Sequence, residues 1–183
     1  MPELLQISQL GHPVLRKKAK LVKNIADKEL QRLIDDMIAT VIDANGAGIA
    51  APQVYQSHRV FIISSSPSSR YPDDPEIAPM AVINPKIVSH GKEIESEWEG
   101  CLSIPGIRGL TPRWKKIKVT YSTRDGKKVS VNYENFLARV FQHELDHLDG
   151  MVFLDRLASN KDICTEKEYQ KIVSKRKAKS KKV

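Results

Sequence analysis

The chain of 183 residues is predicted to adopt an α+β fold on three observations: an amphipathic helical stretch near its start, a group of strand-like runs in the middle, and a second helical stretch directly after a hairpin. Helix, several strands, then helix segregates the two structure types, whereas a parallel sheet would need alternating βαβ units. The length fits one domain with a sizeable core, and 40% hydrophobic residues is ordinary for a soluble enzyme.

After an extended opening with Gly11 and Pro13, residues 27–44 give the first helix. Leu30, Leu33, Ile34, Met37, Ile38, Val41 and Ile42 recur at 3.6-residue spacing, Asp27 suits the N-cap, and Asn45 with Gly46 supplies a stop. Short strands are expected at about Arg59 to Ile63 and Met80 to Val88, separated by a Ser, Pro and Asp-rich surface insertion at 64–79. Residues 116–133 carry the best hairpin signal, because Ile117, Val119 and Tyr121 alternate with polar residues, as do Val129, Val131 and Tyr133 beyond Asp125 and Gly126. The run from Asn135 to Gln142 then brings apolar residues at helical spacing without Pro or Gly, and Gly150 ends the helix.

This second helix carries His143, Glu144, Leu145, Asp146 and His147. Histidines four residues apart lie one turn apart on one helix face, where both can grip one cation, and Glu144 beside the first can reach a water activated there. Two core histidines with a surface glutamate would produce the same letters. The neighbours argue otherwise: Phe136, Val140, His143 and His147 form one stripe, and imidazoles buried beside apolar residues need a partner, which a metal supplies.

A hydrolytic metal takes about three protein ligands and keeps one open position. A metzincin arrangement needs a histidine six residues beyond the second ligand, where this chain has Phe153. A thermolysin-like arrangement takes a downstream glutamate, for which Glu166 and Glu168 in the helix-prone segment from Thr165 to Ile172 are placed. The third route is Cys101, between Gly100 and Leu102, whose soft thiolate suits zinc or ferrous iron. The other cysteine, Cys164, lies in a polar stretch and reads as an incidental thiol; two cysteines form no disulfide framework.

The net charge of +8 is concentrated at the C-terminus, where Lys171, Lys175, Arg176, Lys177, Lys179, Lys181 and Lys182 occur with no acidic residue among them. Such an end suits attraction to a polyanion such as ribosomal RNA, and equally suits a merely solvated tail. No apolar run is long enough to span a bilayer, and the start, Met1 to Gln6, lacks the basic and apolar regions of a secretory signal. A soluble intracellular protein is expected, and neither a membrane nor specific DNA is an expected partner.

Three segments, Gly46 to Gln53, Glu99 to Ser103 and Gln142 to His147, together resemble the motifs of the peptide deformylases, bacterial or plastid-like type, in that family's order. The resemblance covers about residues 5–160. Ile49 stands where Leu is usual and Leu145 where Met is common, both volume-conserving changes. Leu102 after the cysteine fits bacterial and plastid members, and the 64–79 insertion is longer than in the shortest ones.

The resemblance implies an α+β fold with mixed or antiparallel sheets packed around the central HExxH helix, an N-terminal helix, a catalytic domain at 1–160 and a C-terminal helix and basic tail at 161–183. It implies a metallohydrolase that removes the formyl group from the N-terminal formylmethionine of nascent polypeptides, releasing formate, and with that substrate a place in the bacterial cytoplasm, or in an organelle if the chain is a processed form. Cys101, His143 and His147 would hold one divalent metal, Fe²⁺ natively, with Zn²⁺ or Ni²⁺ in isolated protein. Glu144 would act as general base and then acid, and the side-chain amide of Gln53 with the backbone N–H of Leu102 would stabilise the oxyanion. Gly48 and Gly100 would pair with the extended peptide backbone, and Ala47, Phe136 and Val140 are the candidates for the methionine slot. Glu99 and Arg113 are candidates for a supporting pair beside the metal. Two rivals stay open at this level: a thermolysin-like endopeptidase using Glu166 or Glu168, and an RNA-binding protein with a structural metal.

Overall fold

The computed structural model describes residues 1–67 and 75–180. The heart of the 64–79 insertion and the last three residues of the basic tail lie outside the described residues.

A single turn of 3-10 helix at Pro13–Arg16 precedes α1, which spans Lys28–Asp43. Asp27 caps α1 as the sequence predicts, its carboxylate accepting from the backbone N–H groups of Glu29 and Leu30 at 3.0 Å each. Eight strands follow in chain order: β1 Gly48–Ala50, β2 Val60–Ser65, β3 Ile77–His90, β4 Ile94–Cys101, β5 Ile104–Trp114, β6 Lys116–Ser122, β7 Lys128–Glu134 and β8 Ile163–Thr165. The metal-motif helix α2, Asn135–Leu148, follows β7 directly, and α3, Glu166–Ser180, follows β8.

The strands form two sheets, ordered β1-β2-β3-β6-β7 and β4-β5-β8. All strand pairs among the described residues are antiparallel, so of the expected mixed or antiparallel sheets the antiparallel form is the one present. The β6–β7 hairpin has the predicted register, with Val119 opposite Val131, and Gly126 takes the φ of +83° that its turn requires. The strands flanking the insertion run further than their sequence suggests. Ser64 and Ser65 are buried in β2, and Ser65 pairs with Ile77, so both ends of the 64–79 stretch belong to the sheet.

The central strand β2 is buried on both faces, and its alternation divides the core. Val60 and Ile62 pack with Leu30, Ile34, Met37 and Val41 of α1, while Phe61 and Ile63 pack with Ala138, Phe141 and Leu148 of α2. Phe61 and Phe141 meet edge to face at 5.2 Å, and each buried large side chain contributes about 1.5–3 kcal/mol. The opposite side of α2 meets the second sheet through polar groups. Arg139 donates to the carbonyl of Thr111 on β5, and Gln142 exchanges two hydrogen bonds with the backbone of Trp114 at 2.8 and 3.1 Å. Clamped between sheets, α2 presents its functional residues from a fixed axis. It ends where Gly150, φ +77°, passes so close to Arg16 that a Cβ would lie 2.9 Å from backbone atoms.

Candidate metal centre and its cleft

His143 and His147 come from successive turns of α2, with ring centroids 5.1 Å apart. The end of β4 delivers Cys101 to them: one donor atom from each of the three residues lies within 4.8 Å of the others, and Cys101 Sγ is 3.3 Å from His147 Nε2. A register shift between Glu99 and Cys101 turns the strand end toward the helix. One thiol and two imidazoles converging at this spacing match a soft divalent cation such as zinc or ferrous iron, so the residues present fit a metal. The glutamates of the thermolysin-like alternative stand elsewhere. Glu166 bonds Arg108 Nε at 2.6 Å and Glu168 pairs with Lys171 at the surface.

His143 is oriented through its other nitrogen. Nδ1 lies 2.8 Å from Glu99 Oε2, a partner that fixes the ring and leaves Nε2 for the cleft. Glu99 in turn receives two bonds from Arg113, at 3.0 Å each, and one from Arg139 at 2.8 Å. The supporting pair expected between Glu99 and Arg113 is therefore present, and it is wider than expected. Arg113 also donates to Asp146 of the motif helix, which Arg156 holds from the other side at 2.6 Å. Burial would raise the pKa of Glu99, but the hydrogen bonds and charges of His143 and Arg113 outweigh it and hold the carboxyl well below the usual carboxylate range.

Glu144, 4% exposed, points into the cleft beside the ligands, and its Oε2 has no hydrogen-bond partner among the described residues. Burial pushes its pKa up to about 7, in spite of the opposing positive charge at His143. The two imidazoles shift in opposite directions. Burial disfavours the charged form of both, but bonds with Cys101 and Glu99 raise His143 well above the ordinary histidine value, whereas burial and the nearby charge of His143 keep His147 well below it.

Gln53 sits in the 3-10 turn Ala51–Val54 after β1, and its amide is held at both ends. Oε1 accepts from the N–H of Ala50 at 2.8 Å, and Nε2 lies 3.1 Å from Ser103 Oγ and 3.5 Å from Cys101 Sγ. The donor end therefore faces the ligand set. Leu102, next to Cys101, packs its side chain toward Gly46, where an added Cβ would meet Leu102 Cδ1 at 3.1 Å.

A cleft of about 660 Å³ gathers these residues. Its lining holds Gln53, Cys101, Leu102, His143 and Glu144 with the substrate candidates Gly48, Gly100, Ala47, Phe136 and Val140. His147 is fully buried and lies outside that lining. Ser103, Arg139, Asp146 and Arg156 carry no role in the sequence reading. Asp146 had a signal, an acid on the buried helix between the ligands' turns; Arg139 and Arg156 reach the site only through folding.

The polypeptide deformylase family model matches residues 4–162. Peptide deformylase 2 of Nostoc sp. is 58% identical over 174 residues, covering 95% of this chain and 97% of that protein. A Met-Ala-Ser bound crystal structure of a class I type b peptide deformylase from Acinetobacter baumannii has a TM-score of 0.83 at 41% identity, covering 86% of this chain and all of that one. The crystal structure of a peptide deformylase from Synechococcus elongatus in complex with actinonin has a TM-score of 0.77 at 37% identity, with 86% of this chain and 81% of that one covered.

Proposed function

This chain belongs to the peptide deformylase family, enzymes that remove the formyl group from nascent polypeptides, and we propose how its own residues carry out that reaction. The observation that carries the proposal is the convergence of the Cys101, His143 and His147 donors within 4.8 Å beside a carboxylate oxygen of Glu144 that has no hydrogen-bond partner among the described residues.

Cys101, His143 and His147 hold one divalent cation, with Fe²⁺ the native ion and Zn²⁺ or Ni²⁺ accepted by the same thiolate and imidazole set. When bound, the cation supplies a Lewis acid that polarises the formyl carbonyl and lowers the pKa of water toward neutrality. Glu144 Oε2 accepts the proton of the water that attacks the formyl carbon, then gives it to the methionine nitrogen as the carbon–nitrogen bond breaks, releasing formate and a free amine. Gln53 Nε2 and the backbone N–H of Leu102 donate to the oxyanion; one such donor is worth on the order of 10²- to 10³-fold in rate.

The peptide binds extended between two sheet edges. β1 and β4 each end their sheet, and Gly48 and Gly100 line the cleft between them, which supports a strand-addition mode. Ala47, Phe136 and Val140 form the methionine slot on the α2 side. Residues 1–160 are the catalytic unit, and the basic tail within 161–183 draws the enzyme to ribosomal RNA near emerging chains. The enzyme works in the cytoplasm, a reading supported by its bacterial relatives; among the described residues no helix is long and apolar enough to cross a membrane.

Formate release from formyl-Met-Ala-Ser tests the reaction, with acetyl-Met-Ala-Ser as the comparison. Release of formate by iron-loaded protein, with the acetyl peptide left intact, is the expected result; an intact formyl peptide would reject it.

A further inference from the structure

We infer that the C-terminal β8–α3 segment forms one wall of the substrate cleft and that Tyr169, with Trp98 and Arg108, selects the second residue of the formylated peptide, favouring aromatic over small side chains. The inference rests on the reading of the cleft as the peptide site.

The family match ends at residue 162, yet the cleft lining continues to Glu166 and Tyr169. Strand β8 anchors this extension, pairing Ile163, Cys164 and Thr165 with Gly109, Arg108 and Ile107. The first turns of α3 are thereby set beside the cleft. Arg108 Nε bonds Glu166 Oε2 at 2.6 Å, the Arg108 guanidinium lies 5.0 Å from the Tyr169 ring centroid, and the Trp98 ring lies 6.0 Å from Tyr169, tilted by 56°. Two aromatic rings and a guanidinium plane present flat, polarisable surface.

The register says which substrate residue meets it. Side chains alternate along a strand, and β4 shows both faces. Glu99 points to α2, where it bonds His143, while Trp98 and Gly100 face the other way, a Cβ on Gly100 overlapping the Arg108 guanidinium. A peptide laid along the β4 edge alternates in step with it. With its methionine in the slot beside α2, the next side chain points to the opposite face, the face of Arg108, Trp98 and Tyr169.

The experiment compares kcat/KM for formyl-Met-Phe-Ser and formyl-Met-Gly-Ser in metal-loaded wild type, Tyr169→Ala, Tyr169→Phe and Glu166→Gln. Wild type should favour the Phe peptide by about 3- to 10-fold, chiefly in KM, the scale of one aromatic contact. Tyr169→Ala should flatten the preference, Tyr169→Phe should restore it, and Glu166→Gln, which replaces the ion pair with Arg108 by a weaker neutral hydrogen bond, should weaken it. Ala is a good helix former at this half-buried site, so α3 persists in the variant. An unchanged Phe to Gly ratio in Tyr169→Ala, or no preference in wild type, would overturn the inference while the deformylase reading stood. Failure to deformylate either peptide would overturn both.

Discussion

Glu144 occupies the space that a side chain on Gly48 would need: a Cβ there would lie 2.5 Å from Glu144 Oε1 and 2.8 Å from its Cγ and Cδ. The absence of a methyl group on β1 thus lets the proposed base stand beside the metal ligands. Gly48→Ala should push the carboxylate out of line and lower kcat on the order of 10²-fold, within the range of general-base contributions, while metal content and thermal stability stay close to wild type. Parallel kcat and metal measurements check this; a fully active variant would show that Glu144 has slack in its position.

The buried charges around His143 are mutually dependent. Arg113 and Glu99 are 4% and 5% exposed in their side chains, and Asp146 shares Arg113. Arg113→Met removes one cation and leaves Glu99 with Arg139 and His143, and Asp146 with Arg156. The metal-free protein should lose about 3 kcal/mol in urea unfolding, the usual result of breaking a buried pair from one side. Glu99→Gln should weaken metal affinity about 10- to 100-fold in a chelator competition, because His143 loses the acceptor that fixes its ring. Wild-type affinity in that variant would show that α2 packing alone orients the histidine.

Ligand identity separates the two metallohydrolase readings. Cys101→Ser should emerge with little bound metal, whereas Glu166→Ala and Glu168→Ala should keep the wild-type metal content, since those glutamates bond Arg108 and Lys171 instead. Elemental analysis of the three proteins decides it. Metal lost with either glutamate would favour the thermolysin-like arrangement.

Truncation after Lys171 removes Lys175, Arg176, Lys177, Lys179, Lys181 and Lys182 but leaves Glu166 and Tyr169 in place. Ribosome binding at low salt should weaken, and the slope of log affinity against log salt should become shallower, as fewer counterions are released. Equal binding by the truncated and intact chains would discard the ribosome role of the tail.

The legible parts of the chain were those written in local spacing. The α1 stripe with its Asp27 cap, the β6–β7 hairpin and the His143, Glu144, His147 face each depend on residues a few positions apart, and each was readable. The β4–β5 hairpin was not, because its inward positions hold Glu99, Thr111 and Arg113 where a strand signal needs apolar residues. The charges that hide the strand are the ones that hold His143. Ser64 and Ser65 misled in the same way: polar letters suggested a loop, yet both are buried and extend β2. β1 spans only three residues, too few for any alternation to register. Cys101 stands in the sequence as one of two open routes to a third ligand, and only the family resemblance prefers it to the glutamates, since no spacing rule relates a strand end to a helix 42 positions later.

The central claim is that Glu144 moves the proton while Cys101, His143 and His147 hold the metal. The direct measurement is formate release from formyl-Met-Ala-Ser by anaerobically purified wild type and Glu144→Gln, with metal content read on the same samples. Equal metal in both proteins, with kcat lowered on the order of 10³-fold in Glu144→Gln, is the expected result. Near wild-type turnover by Glu144→Gln would contradict it.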